Sequence, residues 1–103
     1  MSVYNNILDT IGNTPVVKLS RLKTGVSSLF LKLENQNPGG SIKDRTGLNM
    51  IVQAEKRGDI HPGQLLVEAT AGNTGLGLAL TSCAKCLRNL MKLWSLLTIV
   101  VKI

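Results

Sequence analysis

One segment, residues 42–57, carries the marks of a helix at both of its ends, and the rest of the chain has to be arranged around it. Ser41 stands at the cap position, and Asp44, three residues on, can answer its backbone N–H in a capping-box arrangement. Leu48, Ile51, Val52 and Glu55 recur at helical spacing, the first three as an apolar stripe. Lys56 and Arg57 close the last turn, where the helix dipole favours cations, and Gly58 supplies the left-handed stop.

On either side of this helix, short apolar runs alternate with turns. Apolar residues at 7, 8 and 11 predict a short helix over 5–11. Gly12-Asn13-Thr14-Pro15 reads as a turn, Val16-Val17-Lys18-Leu19 as a strand, and Leu29-Phe30-Leu31-Lys32-Leu33 as a second strand after a loop over 23–27. Pro62-Gly63 is a type II turn signature. Leu65-Leu66-Val67 then reads as a short buried strand, followed by a glycine loop over 70–75 and a helix over about 74–85. Strands alternating with helices predict an α/β domain with a parallel sheet. Past residue 86 the texture changes to a leucine-rich stretch without glycine or proline.

Composition removes several classes of function. The 103 residues make one domain or a piece of one. The net charge of +6 invites a nucleic-acid reading, but it is spread along the chain without a run of like charges and aromatics are only 3%, which leaves a basic nucleic-acid binder as a remote third option. The longest uncharged apolar stretch, 93–101, is about half of what a membrane-spanning helix needs. Cys83 and Cys86 form one Cys-x-x-Cys pair with no second pair and only His61 besides, which does not make a zinc site. With no secretory signal over the first ten residues, the expected setting is reducing and cytoplasmic.

Two segments carry chemistry. Lys43 follows the loop Pro38-Gly39-Gly40 and sits in the first turn of its helix, where positive backbone potential disfavours a second positive charge. That favours the neutral amine, the form that attacks a carbonyl, and so suits a lysine carrying an aldehyde cofactor. The glycines let the backbone pass close to a bound group. The second segment, Thr70-Ala71-Gly72-Asn73-Thr74-Gly75, opens a helix after a strand and offers N–H groups and short polar side chains to a carboxylate or phenolate oxygen. It lacks the Gly-Lys-Ser/Thr ending of a nucleotide phosphate loop and the spacing of a dinucleotide fingerprint. Taken singly, the lysine reads first as a solvated first-turn residue, and the loop as readily as a structural turn.

Together and in this order, the segments resemble the fold-type II pyridoxal-phosphate enzymes, specifically the cysteine synthase (O-acetylserine sulfhydrylase) family and its B-type branch. The resemblance rests on Thr10-Ile11-Gly12-Asn13-Thr14-Pro15-Val16-Val17-Lys18-Leu19, on Asn37-Pro38 through Ser41-Ile42-Lys43-Asp44-Arg45, on Ala54-Glu55-Lys56-Arg57-Gly58 and on Glu68-Ala69-Thr70-Ala71-Gly72-Asn73-Thr74-Gly75. It runs from about residue 9 to 85. It implies a partial three-layer parallel-sheet α/β domain of the tryptophan synthase β-like type. It further implies pyridoxal 5'-phosphate bound covalently by Lys43, with Asn73 donating to the cofactor's ring oxygen. Thr70, Ala71, Gly72, Asn73 and Thr74 would surround the carboxylate of a small amino-acid substrate. The implied reaction replaces the acetyl group of O-acetylserine with sulfide or thiosulfate, in a homodimer.

Two departures accompany the resemblance. Ala71 stands where the family has serine, which removes one hydroxyl donor to the carboxylate and weakens binding by roughly a kcal/mol or more. Beyond Lys85 the family pattern stops: Cys86-Leu87 replace a glycine and an aromatic residue. Residues 1–85 are therefore expected to be the N-terminal part of a cysteine synthase-like domain, and 86–103 an unrelated hydrophobic and basic tail that a frameshift would explain. The cofactor's phosphate loop and the serine facing its pyridine nitrogen belong to the part of the family pattern without a counterpart here. The expectation is then a fragment inactive by itself, or a non-catalytic remnant that docks on an intact homologue.

Overall fold

The structure is a computed structural model that describes residues 1–22, 25, 28–70 and 72–85, together with the backbone of 98–102. The predicted helix is present as α1, Lys43–Arg57. Its C-terminus is closed by Gly58 at φ 76°, with Gly58 N–H donating to Glu55 O at 3.0 Å and Asp59 N–H to Ala54 O at 2.9 Å, a Schellman motif. The N-terminus differs from the sequence reading. Ser41 Oγ accepts from Lys43 N–H at 3.1 Å, but Asp44 turns away from Ser41 and accepts from Gly39 N–H, so no capping box forms. The positive-φ glycine at 40 (88°) folds the loop back far enough to bring Gly39, rather than Ser41, onto the carboxylate.

Residues 7–10 form a single 3₁₀ turn in place of the short helix predicted over 5–11, capped by Asn6, whose side chain accepts from Leu8 N–H at 2.9 Å. β1 (Val16–Leu19) and β2 (Leu29–Lys32) pair antiparallel, with Val16 opposite Lys32 and Leu19 opposite Leu29. Pro62-Gly63 makes the expected turn, Gly63 lying at φ 94° and Gln64 N–H reaching His61 O at 3.1 Å. β3 (Leu65–Ala69) leads to α2 (Asn73–Ala84), and β4 (Thr98–Lys102) runs back along β3, with Leu65 opposite Lys102.

The α/β character is as expected, but both ladders among the described strands are antiparallel where alternation predicts parallel pairing. Residues 20–28 are too few to return the chain for a parallel neighbour of β1, since parallel strands need a crossover of a dozen residues or more. β4 lies inside the stretch read as an unrelated tail; Thr98, Ile99, Val100 and Val101 are four β-branched residues in succession, a strand signal.

Helices α1 and α2 pack directly on each other and run in the same sense. Lys43 and Gly47 of α1 meet Gly77 near the start of α2, while Glu55 near the end of α1 meets Lys85 just past the end of α2 in a 2.7 Å ion pair. Ile51 and Leu78, 1% and 2% exposed, form the apolar centre of this contact, with Ile60 and Leu66 packed around them. β3 is not the buried strand predicted: Leu65 and Val67 are exposed and only the alternate residues Leu66 and Glu68 turn inward. One face of the strand lies toward the helices and the other is open, the half-buried pattern of a period-2 strand.

Candidate functional site

Because α1 and α2 run the same way, their N-termini lie at one end of the pair. A Cβ on Gly77 would run into the carbonyl oxygen of Lys43. Gly77 is four residues past Asn73, so α2 begins about 6 Å along its axis from that contact. The first turn of α1, which carries Lys43, is thereby set beside the loop over 70–75. Two helix N-termini also bring two sets of positively polarised N–H groups to the same place, a favourable environment for an anion.

The predicted site residues other than Ala71 can be placed. Lys43 is exposed at the head of α1. Gly72 and Asn73 are exposed and Thr74 half-buried at the head of α2. Thr70 lies at the end of β3, and its Oγ1 accepts from Gly75 N–H at 3.3 Å and from Gly72 N–H at 3.4 Å. The N–H groups of Asn73 and Thr74 have no acceptor among the described residues. Ala71, predicted to touch the substrate carboxylate, lies outside the described residues. A Cβ built on Gly40 or Gly72 would meet nothing within 4 Å among the described residues, which leave room beside both loops.

The loop that delivers Lys43 is fixed from behind by a polar hub that the sequence reading did not single out. Arg45, two residues after Lys43, grips Glu34 with two parallel bonds, Nε to Oε2 at 2.8 Å and Nη2 to Oε1 at 2.9 Å. Glu34 Oε1 also accepts from Thr14 Oγ1 at 2.8 Å, and Oε2 accepts from Asn37 Nδ2 at 2.9 Å. Asn37 Oδ1 in turn accepts from Gly12 N–H at 2.8 Å, and Arg45 Nη2 donates to Gly12 O at 3.0 Å. Gly12 is required on two counts: its φ is 88°, and a Cβ there would come 2.6 Å from Arg45 Nη1. Arg45, Thr14 and Asn37 together hold the Glu34 carboxyl down at about 2, against an ordinary 4.5. The same carboxylate raises the Arg45 guanidinium further. The available signal was Arg45 itself: a cation in the first turn opposes the helix dipole, which points to a fixed anionic partner.

Known proteins resemble the chain over this same region. The family described as pyridoxal-phosphate dependent enzyme matches residues 7–86. Cysteine synthase B of Pseudomonas syringae pv. syringae is 52% identical over 89 residues, which are 85% of this chain and 53% of that protein. Cysteine synthase B of Escherichia coli (strain K12) is 58% identical over 77 residues, 74% of this chain and 25% of that protein. Among solved structures, a hydrogen sulfide-producing enzyme from Fusobacterium nucleatum superposes with a TM-score of 0.81 at 45% identity, over 85% of this chain and 29% of that one. Cysteine synthase from Entamoeba histolytica does so with a TM-score of 0.76 at 42% identity, over 84% of this chain and 27% of that one. The chain thus spans about half the length of one curated relative and about a quarter of the other.

Proposed function

The chain belongs to the pyridoxal-phosphate-dependent enzyme family, and from that membership we propose that residues 7–86 supply the amine and carboxylate-binding share of a cysteine synthase-like site. The observation that supports this reading is the contact of Gly77 with the Lys43 carbonyl, which brings the first turn of α1, where Lys43 is exposed, close to the start of α2. The donor set suits the cofactor: a primary amine for its aldehyde, the Asn73 amide for its ring oxygen, and open space beside Gly40 and Gly72. When bound, the cofactor takes up the charge left on a substrate's α-carbon after proton loss.

The chain's own residues do the remaining work. Lys43 Nζ holds the cofactor and, once released from it, accepts the α-proton of the substrate. The N–H groups of Asn73 and Thr74, with the Thr70 and Thr74 hydroxyls and Gly72, hold the substrate carboxylate. The substrate class is a small amino acid with a leaving group on its β-carbon, such as O-acetylserine, whose place sulfide or thiosulfate takes. Holding the cofactor's phosphate and pyridine nitrogen is proposed to fall to residues outside 7–86.

Titrating the purified chain with pyridoxal phosphate, trapping with borohydride and mapping the modified peptide tests the reading. A visible band with label concentrated at Lys43, absent from K43A, is the expected result; label spread equally over several lysines would overturn it.

A second reading is favoured by the hairpin of β1 and β2. Val17, Leu19, Leu29 and Leu31 make one face apolar, Val16 (57% exposed) and Phe30 (59% exposed) lie on the other face with Lys18 and Lys32, and a lone two-stranded ribbon is at best marginally stable in water. On this reading the chain is a non-catalytic partner that covers the hairpin against an intact cysteine synthase-like homologue. Co-migration of the two on gel filtration, lost in F30S, would favour it over cofactor capture.

A further inference from the structure

Among the described residues, Asp44 is the charged side chain wholly removed from solvent. Its Oδ2 accepts from Gly39 N–H at 2.5 Å, and its Oδ1 has no partner among the described residues. A carboxylate is costly to bury unless donors replace its water, so a chain that buries one here is using it for geometry. Gly39 shows which geometry. A Cβ on Gly39 would collide with Asp44 Oδ1, so the loop backbone lies directly on the carboxylate. From the other side, a Cβ on Gly77 would reach 3.2 Å from Asp44 Cα. Asp44 is wedged between the glycine loop and α2, and Lys43 is its immediate neighbour.

We infer that Asp44 is a positioning residue for Lys43. By clasping Gly39 N–H it folds the 38–40 loop against the first turn of α1 and fixes the direction in which the Lys43 amine leaves the helix. Helix capping does not account for it, since a capping carboxylate would accept from Ser41 N–H and would need no burial. The inference rests on the reading of Lys43 as the cofactor amine, and its test does not pass through the cofactor.

Lysines of the full chain are reductively methylated with ¹³C-formaldehyde and the methyl resonances compared in the parent, D44N, D44A and G39A. A Lys43 held in one direction gives a resonance apart from those of exposed lysines such as Lys18. D44N keeps an oxygen acceptor for Gly39 N–H and is expected to keep that separation. D44A, which loses the acceptor, and G39A, whose Cβ displaces the carboxylate, are expected to lose it. Amide exchange at Gly39 is expected to rise about tenfold in D44A. The inference is overturned if the Lys43 resonance is unchanged in D44A and G39A, or if D44N loses it as fully as D44A does. Should both D44A and G39A fail to fold, Gly39 exchange in the parent decides: a rate as fast as at exposed Gly25 overturns the clasp. If pyridoxal phosphate does not select Lys43 in the parent, the cofactor reading falls by itself, and these comparisons still decide the role of Asp44.

Discussion

Gly47 of α1 and Gly77 of α2 meet backbone to backbone. A Cβ on Gly47 would lie 2.5 Å from the Gly77 carbonyl carbon, and one on Gly77 would strike the Lys43 carbonyl oxygen. No side chain separates the helices there, so the two residues set both the closeness of the pair and the position of Lys43 relative to the loop at the head of α2.

Alanine at either position therefore has two opposed effects. It raises intrinsic helix stability by about 1 kcal/mol over glycine. It also forces apart two backbones that cannot rotate out of the way, at a cost of about 2–3 kcal/mol, the upper part of the overpacking range. The second effect wins because the obstructing atoms are main chain. G77A is expected to be less stable than the parent by about 1–2 kcal/mol in urea unfolding, and to lower the share of pyridoxyl label at Lys43. A G77A chain as stable as the parent would mean that the helices are not in this contact.

Gly58 makes the contrasting case. Among the described residues a Cβ there would meet nothing within 4 Å, and its left-handed φ of 76° is what opposes a side chain. G58A is expected to cost about 1–2 kcal/mol through backbone strain alone, with G58N, which tolerates that region, costing less. Urea unfolding of the pair checks the order, and pyridoxyl labelling of Lys43 should be the same in both.

These glycines also show what the sequence could tell. Gly58 was legible because a helix stop is a local event, written in the residues beside it. So were β1, β2, α1 and α2, each close to its predicted bounds. Gly47 and Gly77 were not, because a glycine inside a helix says nothing about which backbone will approach it. Asp44 was read as a cap because three residues is the capping spacing, and the loop geometry at Gly40 overrode that local preference. The hub of Glu34, Arg45, Asn37, Thr14 and Gly12 joins residues up to 33 apart, beyond any local pattern. The exposure of β3 was hidden for the same reason, since burial depends on what the rest of the fold brings to a strand.

The hub gives the chain an acid dependence of known sign. Glu34 faces Arg45 and, at 3.9 Å, Lys32, and it accepts from Thr14 and Asn37. Its carboxyl titrates at about 2 when folded, against 4.5 otherwise. A depressed folded value means the unfolded chain takes up the proton first. The stabilisation is thus whole above about 4.5 and is lost as pH falls from there toward 2. The melting temperature of the parent should fall across that window. E34Q should be less stable than the parent at pH 6 and should show a shallower fall below 4.5. Parallel curves for the two proteins would remove Glu34 as the group responsible.

Thr70 separates a structural role from a ligand role within one side chain. Its Oγ1 accepts from Gly72 N–H and shares Gly75 N–H with the Gly72 carbonyl, so it helps to satisfy donors at the head of α2. Replacing it with valine keeps the shape and removes the acceptor, which should cost about 1 kcal/mol, the usual worth of such a cap. T70S keeps the oxygen and should cost less. Urea unfolding reports that difference, and amide exchange at Gly75 should quicken in T70V but not in T70S. If the hydroxyl also meets a substrate carboxylate, T70V should weaken protection of Lys43 by a carboxylate ligand beyond what the lost stability explains, while T70S should not. Equal stability and equal exchange at Gly75 in T70V and T70S would show that the oxygen does not hold the start of α2.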